Sequence, residues 1–193
     1  MVLILNHTSL LEFIFGVSLP FSYLREIANR LVIAVADKTL NRPIAGYFFA
    51  RLAPKVVSLT RKRDQSWTQF LDSISSDNIC IFLPEGQMKR ENNLDKNGKE
   101  MKVKLGAYDL LRKYRGKNMV IAYSDGLHHV LPPSRKIPSL FKKISVGYEY
   151  LEVSEYLSRF EDEKYPARAM AMDLQKRRDT YCEKPHVLKS VPI

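Results

Sequence analysis

Cysteine is scarce in this chain, and the two that occur, Cys80 and Cys182, have neither metal-site nor redox-pair spacing. Cys80 lies within "NICIFLP" and is expected to pack as a small apolar group. Long apolar runs are missing as well. Nothing approaches the roughly 18–20 residues that a membrane-spanning helix needs. The first residues carry no basic stretch and a single four-residue apolar run, so no signal peptide is expected. There is no repeat, no low-complexity tract and no linker composition, which points to one domain over 1–193. The simplest location on these grounds is the cytosol, with a membrane surface as the alternative.

What is present is a chain of 193 residues with 45% hydrophobic and 27% charged content, enough for a substantial core. Acidic residues are outnumbered, and the net charge is +10. Residues 51–64 hold +4 of it and residues 88–117 hold +6, while the rest of the chain is balanced. Such segments attract phosphates, anionic lipid or acidic proteins. They lack interleaved aromatics and any nucleic-acid module, so DNA and RNA fit poorly.

Apolar, strand-like runs occur at 2–6, 31–37, 54–60, 78–83, 119–124 and 143–150. Helical patterns lie between several of them. "SWTQFLDSI" sets Trp67, Phe70, Leu71 and Ile74 on one face, and "GAYDLLRKY" does the same with Ala107, Leu110, Leu111 and Tyr114. The C-terminal "YPARAMAMDLQKRRDTYCEK" reads as a packing helix with Pro166 in its first turn. Strands alternating with helices predict an α/β fold, a mixed and largely parallel sheet flanked by helices. In such folds functional groups gather at the carboxyl ends of strands. His7, Arg61 and Glu85 each stand at or just beyond such an end.

The stretch "LILNHTSLLEF" runs from an apolar strand into His7, with Glu12 five residues on. A neutral imidazole accepts a proton near pH 7, and an acid at its other nitrogen fixes the tautomer and stabilises the imidazolium. If His7 sits in the turn and Glu12 in the first helical turn, the two converge. The same residues also read as a capping box, with Ser9 as N-cap and Glu12 three positions later. The two readings are compatible, because a capped helix holds Glu12 still. The Gly-x-Ser-x-Gly elbow is absent, which argues against a serine hydrolase built on Ser9.

"IFLPEGQMKR" ends a strand in Pro84-Glu85-Gly86, where the glycine permits a tight turn or close approach to a ligand. "VVSLTRKRD" ends another in Arg61, a residue type that grips phosphate with two nitrogens. "ENNLDKNGKEMKVK" is a polar loop with a turn signal at Asn97-Gly98, a lid over a site or simply a long loop. His128 and His129 follow a strand without an acid or cysteine to complete a metal pattern.

Taken in order, these stretches resemble the glycerolipid and lysophospholipid acyltransferase superfamily. "NHTSLLEF" is similar to its Asn-His-x-Ser-x-x-Asp block, residues 37–63 to its second block, "IFLPEGQMKR" to its Phe-Pro-Glu-Gly-Thr-Arg block and "NMVIAYSDG" to the strand that carries its fourth. The resemblance spans roughly residues 3–150. Glu12 stands where most members have Asp, and Gln87-Met88 where they have Thr-Arg. The hydrophobic N-terminal segment common in the family is missing, so membrane contact is expected from the basic face and surface apolar residues, unless the true start lies upstream.

The resemblance implies an acyltransferase-like fold and an enzyme of lipid metabolism. Such an enzyme moves a fatty acyl group from an acyl-CoA or acyl-ACP (acyl carrier protein) thioester to a hydroxyl of a lysophospholipid or related acceptor. It needs no metal and no cofactor beyond the thioester co-substrate. His7 would be the general base and Glu12 its partner. Arg61 would bind an anionic head group, with Glu85, Gly86, Ser9 and Lys89 helping to place the acceptor. Two rivals share the site: a non-catalytic protein that binds lipid or acyl carrier, and an acyl thioesterase using water.

Overall fold

The computed structural model describes residues 1–9, 12, 20–41, 43–60, 63–75, 77–90, 94–95, 97–125, 127–130, 139 and 144–183. Six strands form one sheet: β1 (Val2–Leu5), β2 (Leu31–Ala36), β3 (Lys55–Leu59), β4 (Ile79–Phe82), β5 (Asn118–Asp125) and β6 (Ser145–Glu152). Their order across the sheet is β3-β2-β4-β1-β5-β6. The first five run parallel, and β6 pairs antiparallel with β5. Each strand falls on one of the apolar runs read from the sequence, and the predicted fold class, a mixed and largely parallel sheet with flanking helices, is the one observed.

Among the described residues the helices are α1 (Phe21–Arg30), α2 (Asp37–Leu40), α3 (Pro43–Leu52), α4 (Gln65–Asp72), α5 (Gly106–Arg112), α6 (Leu127–Val130), α7 (Val153–Ser158) and α8 (Pro166–Glu183). None of them is long and apolar enough to cross a membrane. The side chains of α4 and α5 meet the sheet as their spacing predicts. Phe70, Ala107, Leu110 and Leu111 are fully buried, together with Leu3 and Leu5 of β1 and Met119 and Ile121 of β5. Each buried leucine contributes roughly 1.5–3 kcal/mol relative to an exposed one. α8 joins this core through Met170 and Leu174. Leu31 opens β2, in a smaller cluster with Ile33, Val35 and Ala53. α1 leaves no residue fully buried.

Cys80 is sealed in the larger core, and burial pushes its thiol up to about 12. It packs as an apolar group, as its sequence setting predicts. The topology also fixes where the site lies. β1 has β4 on one side and β5 on the other, all parallel. The residues just past Leu5, the Pro84-Glu85-Gly86 turn and the end of β5 therefore share one edge of the sheet.

Candidate functional site

β1 ends at Leu5, and the chain turns at Asn6 with φ of 63°. Few residue types other than glycine accept this left-handed conformation, and asparagine is the commonest of them. The turn is anchored. Asn6 Nδ2 donates to the Ser124 carbonyl on β5 at 2.7 Å, and Lys89 Nζ donates to Asn6 Oδ1 at 3.3 Å. The next residue, His7, is thereby thrown over the edge of the sheet.

Two carboxylates meet it there. Glu12 Oε2 lies 2.5 Å from His7 Nδ1, and Glu12 Oε1 accepts the Thr8 backbone N–H at 2.9 Å. Glu12 thus holds the imidazole with one oxygen and the Thr8 N–H with the other, whereas a capping box would place that second bond on the Ser9 N–H. A carboxylate against Nδ1 favours the tautomer protonated there and leaves Nε2 as the basic nitrogen. The histidine side chain is 14% exposed and that of Glu12 5%, so the ring reaches solvent while its partner does not.

Glu85 takes hold of the same residue from behind. The turn that carries it is closed by the Gly86 N–H donating to the Leu83 carbonyl at 3.0 Å, with Gly86 at φ of 72°. Glu85 Oε2 accepts the His7 backbone N–H at 2.9 Å. Its other oxygen accepts from the Arg178 guanidinium of α8 at 2.8 Å, and the same nitrogen donates to the Met101 carbonyl at 2.9 Å. Glu85 and Arg178 are both buried. Burial opposes the charge on Arg178, but Glu85, and after it Asp179, more than offset that, so its pKa is raised. The His7 carbonyl accepts the Lys89 backbone N–H at 2.7 Å, so the histidine main chain is gripped on both sides.

The residues read from the sequence do not all behave alike. His7, Glu12, Glu85 and Lys89 come together. Glu85, expected at the acceptor, has both oxygens engaged by protein groups. Ser9 is fully buried. Gly86 is exposed at the rim. Arg61 and the apolar "FIFG" that follows Glu12 lie outside the described residues. His129 is exposed on the one-turn helix α6.

Sequence reasoning missed three contributors: Asn6, Arg178 and Asp95. Asp95 Oδ1 accepts the Asn97 and Lys99 backbone N–H groups at 2.7 and 2.9 Å, and Oδ2 accepts the Gln87 amide at 2.8 Å. The polar loop is thereby tied to the strand end that carries Glu85. Under it lies a cavity of about 400 Å³ whose wall includes Gln87, Lys99, Lys102 and Lys104. A signal for Arg178 existed. Met170, Leu174 and Arg178 are spaced i, i+4, i+8, so the arginine falls on the buried stripe of α8.

No family model matches the chain, and no curated protein matches it in sequence. Among solved structures it is similar to the 1-acyl-sn-glycerophosphate (LPA) acyltransferase PlsC from Thermotoga maritima, with a TM-score of 0.49 and 15% identity. That likeness covers 93% of this chain, which spans 65% of the length of the other.

Proposed function

We propose that this chain is an O-acyltransferase that moves a fatty acyl group from a thioester of coenzyme A or acyl carrier protein to a hydroxyl of a lysophospholipid or related lipid. The observation that carries this reading is the contact between His7 Nδ1 and Glu12 Oε2, 2.5 Å apart at the carboxyl edge of the parallel strands, with the ring only partly buried. The order of the surrounding sequence blocks supports it.

In this reading His7 Nε2 takes the proton of the acceptor hydroxyl as its oxygen attacks the thioester carbonyl. Glu12 stabilises the imidazolium that forms. Backbone N–H groups hold the negative charge of the tetrahedral intermediate. Collapse breaks the C–S bond, and the departing thiolate takes the proton back from His7. The products are an ester and a free thiol, and no acyl-enzyme forms. General-base help of this kind is worth typically about 10²–10⁴-fold. Arg61 binds the acceptor's anionic head group, with Lys89 adding positive charge beside Asn6 and Gly86 bordering the acceptor. The basic segments favour peripheral contact with anionic membrane on the cytoplasmic side.

The test is incubation with labelled acyl thioester and a panel of lysolipids, with His7→Ala alongside. Labelled diacyl lipid, lost in the variant, supports the proposal. Free fatty acid in its place identifies a thioesterase, and no turnover of any thioester identifies a binding protein; either outcome removes the transferase reading.

A further inference from the structure

Arg178 stands far from His7 in sequence and close to it in space through one carboxylate. It sits on the buried stripe of α8 at 5% exposure, against Glu85 at 1%. Both partners are withdrawn from solvent, so neither is placed to meet a substrate in bulk water. A buried ion pair is seldom a source of stability in itself, because desolvation consumes most of the attraction. What this pair does have is an output: the second oxygen of Glu85 is on the His7 backbone N–H at 2.9 Å.

We propose that Arg178 and Glu85 are positioning residues for His7. Arg178 fixes the carboxylate, the carboxylate fixes the His7 main chain, and the imidazole is thereby held in line with Glu12. The wiring supports the order of that chain. The Arg178 nitrogen that reaches Glu85 is itself held by the Met101 carbonyl at 2.9 Å, and Nε of the same guanidinium donates to Asp179 at 2.8 Å. The neighbouring Arg177 locks α8 in place from the other side. It pairs with Glu149 of β6, and its Nε donates to Asp173 at 2.6 Å. Tyr156 donates to Asp173 at 2.8 Å and Tyr123 to Glu149 at 2.7 Å. α8 is thus pinned to the sheet by one arginine and reaches the site with the next.

This inference rests on the proposed chemistry only for its kinetic test. Acyl transfer and the His7 ring ¹⁵N–¹H signals are measured in Arg178→Met and Arg178→Lys, with the ring signals assigned by their loss in His7→Ala. Arg178→Met is expected to lower kcat by about 10- to 100-fold, the cost of a misplaced base, with the acceptor KM within about twofold. Its His7 ring signals are expected to move, and Arg178→Lys to recover part of both effects. Arg178→Met strands a buried carboxylate and so threatens folding. The pair Glu85→Gln with Arg178→Met therefore carries the same readouts, since it removes both charges and keeps an acceptor oxygen for the His7 N–H. In the pair the ring signals should still be displaced from wild type, though by less than in Arg178→Met, because the His7 N–H keeps an acceptor that nothing now fixes.

Ring signals and kcat unchanged in a folded Arg178 variant would reduce the pair to a structural contact. A raised acceptor KM at constant kcat would place Glu85 on the acceptor and overturn the proposal. If the wild-type protein transfers no acyl group, the ring signals alone decide, so the two failures remain separate.

Discussion

Glu12 and Glu85 hold the same histidine in opposite ways. Glu12 comes from the loop after β1 and meets the imidazole, where the ring is only partly buried. Glu85 comes from the turn after β4 and meets the main chain, sealed from solvent and paired to an arginine. A carboxylate on the ring sees the proton that the ring gains and loses. A carboxylate on the backbone sees only where the ring stands. One residue receives both services because its strand lies between two parallel neighbours, so that groups from the segments after β1 and β4 and from the end of β5 meet at a single turn.

The sharpest way to break the comparison is to remove the ring. His7→Ala should abolish transfer, a loss of at least about 10²–10⁴-fold, while far-UV circular dichroism stays that of the folded protein. Glu12→Gln should come close to it. The Thr8 N–H requires an oxygen from residue 12. A glutamine in that pose turns its NH₂ toward Nδ1, selects the wrong tautomer and leaves Nε2 protonated. A fall of about 100-fold is expected at unchanged acceptor KM. A Glu12→Gln enzyme with full activity would leave residue 12 only its bond to the Thr8 N–H.

The second carboxylate should answer in stability. Arg178→Met leaves the Glu85 charge buried and unpaired, a loss of about 3–5 kcal/mol in urea unfolding. Glu85→Gln combined with Arg178→Met should recover more than half of it, because no unpaired charge remains. Simple additivity of the two single changes would mean that the residues do not act as a pair.

These two carboxylates also separate what the chain reveals from what it conceals. Glu12 is legible because it acts within five residues of His7, and so short a spacing across a turn has few geometric solutions. The strands were legible because their apolar runs are short and bounded. Arg178 meets Glu85 across 93 positions. Only the folded order β4-β1-β5, with α8 laid beneath it, brings them together. The buried stripe of α8 marks Arg178 as an arginine in need of an acid, yet nothing local says which acid. The antiparallel turn of β6 was concealed for a similar reason, since strand direction is a property of the sheet and not of the strand.

Asn6 offers a smaller and cleaner test, because its side chain and its backbone conformation can be separated. Alanine loses the bond to the Ser124 carbonyl and must also hold a φ of 63°. Glycine loses the same bond without the conformational penalty. Asn6→Ala should therefore be less stable than Asn6→Gly by about 1 kcal/mol in urea unfolding. Equal stability would mean that the turn relaxes out of the left-handed region when the asparagine is gone, and His7 would then lose its place over the sheet edge in both variants.

The smallest expected effect lies in the polar loop and depends on pH. The Lys99 N–H is the main reason that Asp95 titrates below its ordinary 3.8; desolvation opposes it, and the Asn97 N–H and Gln87 amide add to it. A carboxyl group with a folded pKa below its unfolded one stabilises the loop above the ordinary value and loses that contribution as pH falls through the folded value. Between about pH 4 and the lowered pKa, hydrogen-exchange protection of the Lys99 and Asn97 amides should fall while that of β1 and β5 holds. Asp95→Asn keeps an acceptor oxygen but cannot titrate, so its protection should be weaker at neutral pH and flat across that range. If the asparagine variant shows the same acid dependence, the loop is being opened by some other carboxylate. Gln87, two residues from Glu85, would then lose its standing as the link between loop and site.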